Sequence, residues 1–160
     1  MRNYRYALLP LALAAACAHA DDALSLTDAL TGGKVTIDSR LRMENVGDDA
    51  VAKDANALTW RNRVGYRTAP WLGLSLFAEL EDVRALDDSY NSTANGRTQY
   101  ATVADPEGSE WNQAGIAWDS GHGTQVVAGR QRLVLDNQRF IGNVGWRQNE
   151  QTFDALTATQ

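Results

Sequence analysis

The chain has 160 residues, 44% of them apolar and 22% charged, with a formal net charge of −5. That acidity argues against nonspecific nucleic-acid binding through net charge, and a single cysteine, Cys17, excludes a disulfide framework within the chain. Of the 15 basic residues 13 are arginine, and where they sit is the matter to explain.

Residues 1–20 read as a secretory leader. MRNYRY supplies a basic start, ALLPLALAAACA an apolar run, and Ala18-His19-Ala20 a small-x-small cleavage site. Cleavage there starts the mature chain at Asp21, leaves it without cysteine, and brings its net charge to about −7. The alternative is a lipid anchor on Cys17 after Ala14, Ala15 and Ala16, but the usual aliphatic residue three before the cysteine is missing. No later stretch approaches the roughly 20 apolar residues of a spanning helix, so any membrane residence must come from strands.

GKVTIDSRLRMENV (Gly33 to Val46) alternates strictly. Val35, Ile37, Leu41 and Met43 share one parity with Ser39, and Thr36, Asp38, Arg40, Arg42 and Glu44 take the other, which predicts a strand with one apolar and one ionic face. Gly47 to Ala57 is polar and aperiodic, a loop. The pattern returns from about Asn56 to Thr68, with Leu58, Trp60, Val64 and Tyr66 opposite Thr59, Arg61, Arg63 and Arg67. After Ala69-Pro70 a third strand sets Leu72, Leu74, Leu76, Ala78 and Leu80 against Ser75, Phe77, Glu79 and Glu81.

Arg84 to Glu110 has the Asn, Gly, Ser and Asp content of a long exposed loop. WNQAGIAWD (Trp111 to Asp119) alternates Ala114, Ile116 and Trp118 against Gln113, Gly115 and Ala117, and Ser120 to Gly123 reads as a tight turn into TQVVAGRQRLV. The parity of that fifth strand is ambiguous; with Arg130 on the polar side, Val127 and Gly129 take the apolar one. Leu135 to Gln151 is polar again, and TFDALTATQ opens a sixth strand.

Short turns therefore alternate with long loops, the pattern of outer-membrane β-barrels, whose turns are periplasmic and whose loops lie outside. Strands of about 11 residues at 3.3 Å each, tilted near 45°, cover the roughly 25 Å apolar band of such a membrane. Trp60 and Tyr66, about 20 Å apart on one face, fit its two edges, with Trp71, Trp111 and Trp118 also near strand ends. Arginine-rich polar faces suit a water-filled lumen better than a solvated outer surface. The fold class expected is all-β, an antiparallel transmembrane β-barrel of which about six strands are present.

GRQRLVLDNQRFIGNVGWRQNEQTFDAL (Gly129 to Leu156) is a specific string and resembles the alginate-export family of bacterial outer-membrane channels. NALTWRNRVGYRTAPWLGLSLFAELEDVRAL and VADPEGSEWNQAGIAW look like the amino-terminal half of that family. The resemblance implies a Gram-negative outer-membrane porin that passes an anionic polysaccharide such as alginate, or smaller acidic solutes. It supports Arg40, Arg42, Arg61, Arg63, Arg67 and Arg130 as wall residues, which Glu79 and Glu81 join by parity. It also makes the loop with Asp136, Arg139 and Arg147 a candidate constriction. The partners expected are outer-membrane lipid, the anionic solute and the barrel-assembly machinery, with no nucleic acid and no cofactor or metal. Family barrels have many more than six strands, and the smallest closed ones need eight, so residues 21–160 read as the amino-terminal portion of a larger barrel.

Other chemistries find little. There is no phosphate loop and no HExxH, and His122 sits between two glycines as a turn residue. Glu79 and Glu81 share a face about 7 Å apart, as any acids at i and i+2 of a strand do, so a hydrolase is not expected. Asp48, Asp49 and Asp54 lack the spacing of a calcium loop. The remaining alternative is a secreted or lipid-anchored β-sandwich binding module, whose strands also alternate.

Overall fold

The computed structural model describes residues 25–160, so the leader and Cys17 lie outside the described residues. Six strands follow one another in space as in sequence: β1 (Lys34–Val46), β2 (Ala55–Arg67), β3 (Leu74–Ser89), β4 (Gly108–Asp119), β5 (Gln125–Gln131) and β6 (Phe153–Thr159). Every neighbouring pair is antiparallel. The sheet is single, with β1 and β6 at its edges. This is the all-β antiparallel fold expected, and it fits the partial wall of a β-barrel. Among the described residues no second sheet packs across it, as a sandwich would require.

The faces are inverted relative to a water-soluble sheet. On β1 and β2 the apolar parity is exposed, with Ile37 at 71% and Met43 at 63%, whereas Arg61 and Arg63 are buried at 3% and 6%. The register Val35↔Tyr66, Ile37↔Val64 and Leu41↔Trp60 sets apolar against apolar, and Asp38↔Arg63 and Arg40↔Arg61 set charge against charge. Trp60 and Tyr66 thus stand on the face opposite Arg61 and Arg63.

Two bulges explain where the strands outrun their sequence pattern. Leu58 pairs with Asp87 but Thr59 with Ala85, so β3 carries an extra residue, and it continues to Ser89 through a segment that reads as loop. Between Glu79 and Leu80 the partners on β4 jump from Gln113 to Trp111. Asn112 and Gln113 both serve the charged face, and Trp111 is returned to the apolar one. A bulge reverses parity, which hides a strand from a period-2 reading.

A helix absent from the sequence reading, α1 (Leu26–Thr31), precedes β1. Ser25 caps it, its Oγ accepting from Asp28 N at 3.1 Å, and Tyr66 donates its hydroxyl to Leu30 O at 2.6 Å. At the other end of the sheet residues 90–107 fold over the charged face. There Tyr90, Ala101 and Val103 pack on Ala55 and Ala57, the apolar core of the molecule.

Candidate functional site: the charged face and its strap

β1 to β3 present Arg40, Arg42, Arg61, Arg63, Glu79 and Glu81 on one face because each pair occupies the same parity along its strand. Across neighbouring strands these residues meet. Arg61 reaches Asp38 at 2.8 Å, Arg63 pairs with Glu81, and Arg42 reaches Glu44 at 2.5 Å and Asp105 at 2.7 Å. Glu81 is 1% exposed, so its pairing with Arg63 takes place away from solvent. Removing either partner of such a pair strands the other charge away from water. Glu79 is held by Arg132 and accepts from Asn112 Nδ2 at 2.8 Å. Glu79 and Glu81 are therefore committed to arginines and are not arranged as a free acid pair.

The face is not open. Residues 143–150 of the β5–β6 connection cross it as a strap. A turn closes at Arg147 N to Val144 O, 2.9 Å, and Gln151 N bonds Asn143 O at 2.7 Å. The turn aims three consecutive carbonyls at one guanidinium: Arg40 donates to the oxygens of Gly145 and Trp146 at 3.0 Å and to that of Arg147. Arg40 Nε also donates to Gln148 Oε1 at 3.0 Å. Gln148, fully buried, returns its amide to Thr59 Oγ1 at 2.8 Å and Thr59 O at 3.0 Å, while its backbone N–H meets Asp105 Oδ1 at 3.0 Å. Glu150 ends the strap. Its carboxylate takes Arg132 and Asn112 on one oxygen and Asn143 on the other, with Arg63 Nη2 3.3 Å away.

The constriction residues separate. Arg147 lies on the charged face, 3.3 Å from Glu44, with its guanidinium 4.2 Å from the Trp146 ring centroid. Asp136 and Arg139 sit in the exposed tip, where the Arg139 guanidinium stands over the Phe140 ring. The tip is pinched by Leu135 N to Ile141 O at 3.1 Å.

Arg130 departs from the wall set. It pairs across strands with Ala114 and Asp154, and the register Trp118↔Val126, Ile116↔Ala128, Ala114↔Arg130 puts it on the apolar face. Asp154 meets it bidentately at 2.9 and 3.0 Å. That fork neutralises the charge, which is how arginine comes to stand where only apolar residues are expected.

Arg67 closes the row at the end of β2. It stacks on Phe77, 4.7 Å from ring centroid to guanidinium, and donates to Ser75 Oγ at 3.1 Å; among the described residues it has no carboxylate partner. Phe77 lies over Gly115, where a Cβ would come within 2.8 Å of the ring, so glycine is what admits the stack. Lys34 lies directly across from Arg67.

The sequence reading missed Arg132, Asp105, Gln148 and Glu150, which complete the network. The signal available for the last two was WRQNEQ (Trp146 to Gln151), too dense in long polar side chains for an idle loop.

An antiparallel sheet with an exposed apolar face and a buried ionic one fits the partial wall of a membrane β-barrel. The Alginate export family matches residues 31–160, and the chain belongs to that family, which is one of outer-membrane transport porins. No curated protein and no solved structure matches the chain.

Proposed function

We propose that the protein is an outer-membrane channel through which anionic solutes pass, acidic poly- or oligosaccharide such as alginate among them. The observation that carries this is the segregation of β1 and β2, whose arginines Arg40, Arg42, Arg61, Arg63 and Arg67 stand on one face and whose large apolar side chains stand on the other, with family membership giving the class. In a water-filled pore the first face raises the local anion concentration, and guanidinium forks hold a sugar carboxylate briefly. The second face meets lipid.

The paired arginines and the unpaired cations have different parts. Arg61 and Arg63 are neutralised by Asp38 and Glu81, so they contribute mainly to the wall's integrity. Arg67 and Lys34, without carboxylate partners among the described residues, supply net positive potential near the short-turn, periplasmic end. The test is the reversal potential of the intact protein in a planar bilayer under a salt gradient. Anion selectivity is expected, shifting toward cations in Lys34→Gln/Arg67→Gln. A cation-selective channel overturns the reading.

A further inference from the structure

Arg40 and Arg61 face each other directly across β1 and β2. Like charges so placed repel, and each needs a compensating acceptor. Arg61 has Asp38. Arg40 has no carboxylate among the described residues; its acceptors are the three strap carbonyls and the Gln148 side chain. The strap also brings Glu150 onto Arg63 and Arg132, both of which already hold a carboxylate of the wall. Every contact the strap makes with these arginines thus offers an oxygen acceptor, in two sets: uncharged oxygens on Arg40 and, through Gln148 O at 3.5 Å, on Arg61, and the Glu150 carboxylate on Arg63 and Arg132.

We infer that residues 143–150 are an internal ligand filling a carboxylate-binding site made by Arg40, Arg61 and Arg63, and that carboxylates of an acidic sugar displace them and free the face. The exchange is favourable in kind. A carboxylate meets a guanidinium with a full opposite charge and a bidentate fork, neither of which a carbonyl offers, and Arg40 has only neutral acceptors. Glu150 is the strap's own carboxylate, and its contact with Arg63 Nη2, at 3.3 Å, lies outside hydrogen-bond alignment, so a better-placed carboxylate gains there too. A neutral sugar has no such advantage. The inference rests on the proposed passage of anions, because it names the site at which such a solute first competes.

Amide hydrogen exchange of the intact protein in detergent, read at residues 144–151, tests it with glucuronate as the probe against glucose and against potassium chloride of equal ionic strength. Glucuronate is expected to speed exchange in the strap severalfold while β1 to β4 stay protected, with neither control doing so. Arg40→Gln is expected to exchange fast without ligand and to lose the glucuronate response. Strap exchange unchanged by glucuronate in the unsubstituted protein, or equally changed by glucose or chloride, overturns the inference whatever the variant does. An anion-selective channel whose strap ignores glucuronate refutes the internal ligand alone. A responsive strap in a cation-selective channel refutes the proposed function and leaves the site standing.

Discussion

Arg40 and Gln148, 108 positions apart, each donate to the other: Arg40 Nε to Gln148 Oε1 at 3.0 Å, and Gln148 Nε2 to Arg40 O at 3.4 Å. The same Gln148 amide satisfies Thr59, so one buried side chain ties the strap to two strands.

Gln148→Ala leaves buried groups of Thr59 and Arg40 short of a partner, at about 1–3 kcal/mol for an orphaned buried polar group. The strap is expected to open before the sheet does, so limited proteolysis should cut within 143–150 while the strands stay intact. Cutting at an unchanged rate would mean that the strap is held elsewhere.

Arg63 and Glu81 form a buried pair, and removing one partner strands the other. Arg63→Met is expected to destabilise by about 3–5 kcal/mol, whereas Arg63→Met/Glu81→Leu recovers most of that, because a well-packed apolar pair can replace a buried ionic one. Urea unfolding of the single and double variants in detergent measures the cycle. A double variant as unstable as the single would show that the network beyond this pair, Glu150 above all, sets the cost.

Tyr90 lies outside the strands, buried beneath the 90–107 segment with its hydroxyl donated to Asp105 O at 2.8 Å. Burial first, then the neighbouring carboxylates of Asp105, Glu107 and Asp88, push its phenol up to about 12. In the unfolded chain the phenol ionises near 10, so the neutral form that folding favours contributes fully below about pH 10, and its contribution is lost as pH rises toward 12. Stability should fall across that window and fall less in Tyr90→Phe. Identical alkaline unfolding of the two would remove Tyr90 from the account.

β1 and β2 were legible because each is long, alternates cleanly and carries charge on one parity only; in β3, where Asp82 and Arg84 join the apolar parity, and in β4, uncharged from Trp111 to Trp118, the apolar alternation alone was the signal. Arg130 was not. Val126, Val127 and Ala128 give β5 apolar residues on both faces, so the arginine alone suggested the direction, and the residue that neutralises it, Asp154, is on the next strand. The extension of β3 to Ser89 was hidden by the bulge at Leu58/Thr59. The strap is a matter of contacts between residues about a hundred positions apart, and no local period reports those. The resemblance marked this connection as a candidate constriction; which residues it lands on, Arg40 and Thr59, only the fold decides.

Val64 sits on the exposed apolar parity between Ile37 and Leu80, away from both strand ends. If that face meets lipid, Val64→Arg is expected to destabilise by about 2–4 kcal/mol in bilayers, the cost of arginine near the midplane of a barrel. Val64→Leu should be nearly neutral. Brominated lipids should also quench a tryptophan placed at 64 and not one placed at 63. Tolerance of arginine at 64 would place this face in water.

The last prediction separates the tip of the β5–β6 connection from its anchor. Asp136 and Arg139 belong to a tip whose ends meet at Leu135 N and Ile141 O, so replacing 136–140 by a short glycine linker spans little distance and leaves every strap contact in place. Replacing 143–150 by glycine and serine instead removes the Gln148 side chain that holds the turn against Arg40 and Thr59, so that its carbonyls are free to leave Arg40, and removes the carboxylate on Arg63. If the strap is what narrows the path, the tip variant should raise single-channel conductance slightly and the strap variant substantially, with anion selectivity stronger in the latter because Arg40 is uncovered. Equal conductance in the two variants would assign the constriction to the exposed tip, and unchanged conductance in both would put it on another part of the barrel.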